Sequence, residues 1–167
     1  IKGIVMSQAQ KDILKKEIGL NSDLPVVLVF GGSQGAKTIN ETLTEIILNK
    51  LNNSYQIIWA SGPKQYELIK KELEEKNTDI NKIKNVKVIP YIYNMEEVMN
   101  IADIIVSRSG AMTITEIAKI GKPAIFIPFP FATENHQEYN ARVLEKVEAA
   151  EIVLDKDLNA TKLSDTI

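Results

Sequence analysis

The residues of this chain that can do chemistry gather in a few short segments, each directly after an apolar run. The first is Gly31-Gly32-Ser33-Gln34-Gly35-Ala36-Lys37-Thr38, following the run at 25–30. Glycines let the backbone turn tightly. A helix starting here presents unpaired N–H groups and the positive end of its dipole, a cradle for phosphate. The alternative is a glycine turn that serves only close strand-to-helix packing. The spacing is not that of a Walker A loop, because Ala36 stands where the glycine before the lysine belongs. Nor is it GxGxxG, because Ser33 takes the place of the second glycine.

The second segment is Ser107-Arg108-Ser109-Gly110-Ala111-Met112-Thr113-Ile114-Thr115-Glu116. It too leads into helical spacing, so its first N–H groups can aim at the same anion. Glu116, one to two turns in, can accept two hydrogen bonds from a ribose diol if it faces the ligand. Otherwise it is an exposed acid near a helix start, favoured there by the dipole. Arg108 suits either a phosphate or a neighbouring carboxylate, and the sequence does not choose between them. The third segment, 128–141, holds two prolines, two phenylalanines and then Thr133-Glu134-Asn135-His136-Gln137. Gln137 carries both a donor and an acceptor, a match for sugar hydroxyls. His136 is the sole imidazole, with no triad or metal-binding companions, and reads as a structural or binding contact rather than a catalytic base.

Strands and helices must alternate to place these segments together. Ser7 is expected to cap a helix through Ile18 that stops at Gly19. Pro25 to Phe30 has the unbroken apolar character of a strand covered on both faces. Ile39, Leu43, Ile46, Ile47 and Leu51 then recur at helical spacing. Further strands are expected at 57–60, 86–89, 103–106, 124–128 and 151–154. Between them lie helices carrying Tyr66, Leu68, Ile69 and Leu73, then 95–101, 111–120 (stopped by Gly121) and 135–145. A last helix begins at Thr161. Strict alternation predicts an α/β fold, a Rossmann-like doubly wound parallel sheet of about six strands. In such sheets ligands sit beyond the carboxyl ends of the strands, where the strand order reverses.

Composition sets the outer bounds. The chain has 167 residues, 44% hydrophobic and 25% charged, with a formal net charge of −2. That fits one domain, residues 1–167 with 1–20 as a lead-in helix, and suggests no general nucleic-acid-binding surface. The absence of cysteine and the single histidine remove thiol chemistry and any multi-histidine metal site. No run approaches the ~20 apolar residues of a membrane span, and no signal peptide opens the sequence, so an intracellular soluble domain is expected.

Taken together, GGSQGAKTIN at 31–40, SRSGAMTITEIAKIGKPAIFIPFP at 107–130 and ATENHQEYNA at 132–141 resemble the MurG family. These are the glycosyltransferases that add N-acetylglucosamine to lipid I in peptidoglycan synthesis. The resemblance implies the donor-binding half of a two-domain GT-B enzyme, with UDP-N-acetylglucosamine as substrate and neither cofactor nor metal. It implies that Ser33 and the amides around Gly32 and Gly35 contact the diphosphate, and that the backbone of Ile92 reads the uracil edge. Ala111, Met112 and Thr113 would present helix-start amides, Glu116 would hold the ribose hydroxyls, and Gln137 with His136 would read the sugar. The catalytic base, the lipid I acceptor site and most of the membrane contact belong to the other half of such enzymes. The parent enzyme would sit on the cytoplasmic face of the bacterial plasma membrane. An arginine that precedes this domain in the family has no recognisable counterpart in residues 1–10, and the crossing C-terminal helix is cut short. The competing readings are another GT-B domain that uses a UDP-sugar and a non-catalytic nucleotide-binding domain.

Overall fold

The five residues Val26–Phe30 are all apolar and all buried, and they form β1 at the middle of the sheet. In the computed structural model, residues 6–21, 23–31, 37–128, 142 and 150–167 are described. Around β1 the chain adds α1 (Gln8–Ile18), α2 (Lys37–Leu48), β2 (Gln56–Ala60), α3 (Pro63–Glu75), β3 (Val86–Ile89) and α4 (Met95–Ile101). It continues with β4 (Ile104–Ser107), α5 (Ala111–Ile120), β5 (Ala124–Phe126), β6 (Ala150–Ile152) and α6 (Ala160–Thr166). All five strand pairings are parallel, in the order β3-β2-β1-β4-β5-β6. This is the doubly wound order in which the chain builds outward from β1 to one side, then from β4 to the other.

Side-chain alternation along β1 divides the core in two. Val27 and Val29 face a layer made by Ile39, Leu43, Ile46 and Ile47 of α2, Ile69 and Leu73 of α3, and Leu163 of α6. Val26, Leu28 and Phe30 face Leu14 of α1, Val98, Met99 and Ile101 of α4, and Ile117 of α5. Both faces of the sheet are therefore covered, which is why its central strand needs no polar residue.

Local signals set the helix ends. Ser7 Oγ accepts from Gln10 N at 3.2 Å while Gln10 Oε1 accepts from Ser7 N at 2.9 Å, closing a capping box. Gly19 ends α1 at φ 92°, returning its N–H to the carbonyls of Lys15 and Lys16. Buried Gln56 at the start of β2 fastens the α1–β1 connection: its side-chain amide donates to the carbonyls of Leu24 (2.8 Å) and Asn21 and accepts from Asn21 N.

Several expected boundaries shift. β4 runs one residue later than 103–106, because Asp103 lies at its entrance and its carboxylate accepts from Val26 N at 2.7 Å. β5 ends at Phe126 rather than at Pro128, which has no N–H to extend a ladder. β6 starts at Ala150 and ends at Ile152, before a 3-10 turn at Asp155–Asp157. Leu51 lies beyond the end of α2, and Leu68 is 61% exposed on the outer face of α3, so neither joins the core. The expected helix at 135–145 lies outside the described residues. Among those residues, no helix is long and apolar enough to cross a membrane.

Candidate functional site

Strand register places the carboxyl ends in one row: Ile89, Ala60, Phe30, Ser107, Phe126 and Ile152 are consecutive neighbours across the sheet. The order reverses between β1 and β4, so Phe30 and Ser107 are the pair at the crevice. The first two polar segments of the sequence leave the sheet from these two residues, side by side. Two helices, α2 and α5, thus start next to each other with their positive ends at the same edge.

The β4–α5 turn is built from buried polar groups. Ser107 and Ser109 are fully buried and Arg108 nearly so. Ser107 Oγ donates to the Arg108 carbonyl at 2.9 Å, and Arg108 Nη1 donates to the carbonyls of Ile127 and Pro128, each at 3.3 Å. Sequence left open whether Arg108 meets a phosphate or an acid; the structure shows it bonding to the exit of the neighbouring strand. Gly110 is the N-cap of α5 and has no side chain to cap it. The N–H of Ile114 is the first to bond back, to the Gly110 carbonyl at 3.0 Å, so those of Ala111, Met112 and Thr113 are first-turn donors with no partner inside the helix. Glu116 is solvent-exposed on the second turn of the same helix.

On the other side of the crevice, α2 starts at Lys37. Its partner at Glu41 is 4.0 Å away, an exposed pair that contributes little. One turn further in, buried Asn40 accepts from the indole Nε1 of Trp59 on β2 at 3.2 Å. The Asn40 amide nitrogen, also buried, has no hydrogen-bond partner among the described residues. Sequence reading missed this anchor; the signal for it was a polar residue on the apolar face marked by Ile39 and Leu43.

Ile92 lies three residues beyond β3, two strands from the crevice pair, with its side chain buried in the second core. That leaves main-chain groups as its contribution to any ligand. Tyr91 and Tyr93 flank it, both exposed, with rings edge-on at 4.9 Å. Gly32, Ser33, Gly35, His136 and Gln137 lie outside the described residues. The structure therefore brings together Ala111, Met112, Thr113, Glu116 and the start of α2, with Ile92 along the same edge.

Residues 26–167 match the family described as the glycosyltransferase family 28 C-terminal domain. The chain is 39% identical over 163 residues to the UDP-N-acetylglucosamine–N-acetylmuramyl-(pentapeptide) pyrophosphoryl-undecaprenol N-acetylglucosamine transferase of Acetivibrio thermocellus, covering 97% of this chain and 43% of the relative. It is 45% identical over 148 residues to the enzyme of the same name from Thermoanaerobacter sp. (strain X514), covering 89% and 40% respectively. The crystal structure of Acinetobacter baumannii MurG superimposes with a TM-score of 0.72 at 31% identity, over 90% of this chain and 42% of that one. The chain thus spans less than half the length of these relatives.

Proposed function

From the premise that this chain belongs to the glycosyltransferase family 28 C-terminal domain family, we propose that it is the donor-binding half of a two-domain GT-B enzyme. That enzyme moves N-acetylglucosamine from UDP to the muramyl hydroxyl of lipid I, giving lipid II. The observation that supports this reading is the register Phe30–Ser107, which puts the ends of β1 and β4 side by side, each followed by a helix, with Glu116 on the second turn of α5. A diphosphate between α2 and α5 receives their open N–H groups, including those near Gly32, Ser33 and Gly35. Glu116 takes the ribose hydroxyls, the main chain of Ile92 the uracil edge, and Gln137 with His136 the sugar.

In the transfer, the acceptor oxygen attacks the anomeric carbon from the face opposite UDP. The bond to the diphosphate breaks with its electron pair leaving on UDP, and configuration inverts. The hydroxyl proton goes to a base on the other half of the enzyme. This half stabilises the charge that develops on the departing diphosphate through fixed helix starts and loop amides, without a cofactor. Acceptor binding and attachment to the cytoplasmic membrane face are assigned to the other half as well.

Calorimetric titration with UDP-N-acetylglucosamine, UDP, ADP and NAD tests the assignment. Uridine ligands are expected to bind in preference to adenosine ones, and Glu116→Ala to weaken them about tenfold or more. Because Glu116 is exposed, its removal should leave the unfolding midpoint nearly unchanged. Tight ADP or NAD binding without a uridine response overturns the reading. The chain by itself is expected to make no lipid II.

A further inference from the structure

We propose that Arg108 is a positioning residue for the diphosphate: it aims the start of α5 by fastening the β4–α5 turn to the exit of β5. The inference rests on the donor-site reading above and adds to it a residue that touches no ligand. Arg108 lies two residues before the N-cap Gly110, at 6% exposure, between two serines that are fully buried. Its guanidinium reaches across to the carbonyls of Ile127 and Pro128, at the end of the next strand. A second bond ties the same two elements, from the N–H of Ile127 to the carbonyl of Ser107 at 2.8 Å. The turn is thus held to the exit of β5 through both the N–H and the carbonyl of Ile127.

Such a fastening matters because a helix start binds an anion only where its N–H groups point. Gly110 cannot fix the direction of α5 with a side chain. Without the guanidinium, a short turn of small residues leaves the first-turn N–H groups of Ala111, Met112 and Thr113 less firmly aimed. A buried cation could act instead through its charge alone, and the two roles are separable. Lysine keeps the charge as a compact point but loses the planar guanidinium whose Nη1 bonds both carbonyls.

The test titrates the wild-type chain, Arg108→Lys and Arg108→Gln with UDP and with uridine, alongside their unfolding midpoints. The ratio of UDP to uridine affinity isolates the diphosphate. Positioning predicts that both variants lower this ratio about tenfold while uridine affinity changes less than about twofold. A ratio preserved in Arg108→Lys and lost in Arg108→Gln would show that charge, not position, is what Arg108 supplies. A ratio preserved in both variants also overturns the proposal. If the wild-type chain binds neither compound, the donor-site reading fails, and amide exchange then decides the rest. The Ile114 N–H should exchange faster in Arg108→Lys than in wild type, with Leu28 on β1 unchanged; equal rates at Ile114 would refute the fastening.

Discussion

After β1 the chain leaves the sheet through glycine-rich sequence, and α2 is anchored one turn later by a neutral pair, Asn40 and Trp59. From the last residue of β4 it leaves through three buried polar residues, Ser107, Arg108 and Ser109, and the anchor is a charged one, Arg108 on the carbonyls of Ile127 and Pro128. The two arrangements mirror each other: each ties a crevice helix to the strand outside it, β2 on one side and β5 on the other. They differ in how completely their polar groups are met. Among the described residues, the neutral anchor leaves the Asn40 amide nitrogen buried without a partner, while the charged anchor spreads one guanidinium over two carbonyls. A crevice helix can therefore be tied to the sheet by one neutral pair or by a buried cation that serves two carbonyls. The second way concentrates more stability in one residue.

The largest expected effect follows from that concentration. Arg108→Met keeps much of the buried volume but strips the donor from two buried carbonyls, and should cost about 2–4 kcal/mol in denaturant unfolding. Asn40→Ala should cost less, about 1–2 kcal/mol, because it orphans the Trp59 N–H but also removes an amide that is already unpaired. Equal costs for the two variants would break the comparison. The smallest effect is expected at the far end of α5, which bounds how local the asymmetry is. Burial first, then Lys11 and Lys15, hold the Lys122 amine below the ordinary lysine value, with Asp103 pulling the other way. A lowered folded-state pKa means that the ammonium disfavours the fold at neutral pH. That penalty is relieved as pH rises from the depressed value toward 10.5. Lys122→Gln should therefore stabilise slightly at pH 7, by less than about 0.5 kcal/mol for so solvated a group, and the gain should vanish above the lysine range and in high salt.

The sequence made the covalent and periodic features plain. The apolar run 25–30, the Ser7 cap and the stops at Gly19 and Gly121 are local devices, and each appears within a residue of where it was expected, with Gln10 completing the cap as a box. The crevice was legible as well, because doubly wound order forces the turns after the first and fourth strands together. The anchors were not. Arg108 bonds to carbonyls, which every residue has, so nothing in the letters at 127 and 128 marks them as its partners. Asn40 sits among Ile39 and Leu43, where helical spacing predicts only packing. Leu68 fails in the opposite sense: an apolar side chain on a charged helix reads as core, yet none of the described residues covers the face it occupies.

Trp59 is the only tryptophan in the chain, fully buried, and its indole N–H is held by the helix that opens the crevice. The protein consequently carries its own optical label. Its ultraviolet emission reports, without dye or cofactor, on the polarity around one side chain that β2 turns toward α2. Departure of α2 from the sheet should redden that emission, while disturbance confined to the Arg108 side should leave its colour alone. The two halves of the crevice can thus be told apart by a spectrum.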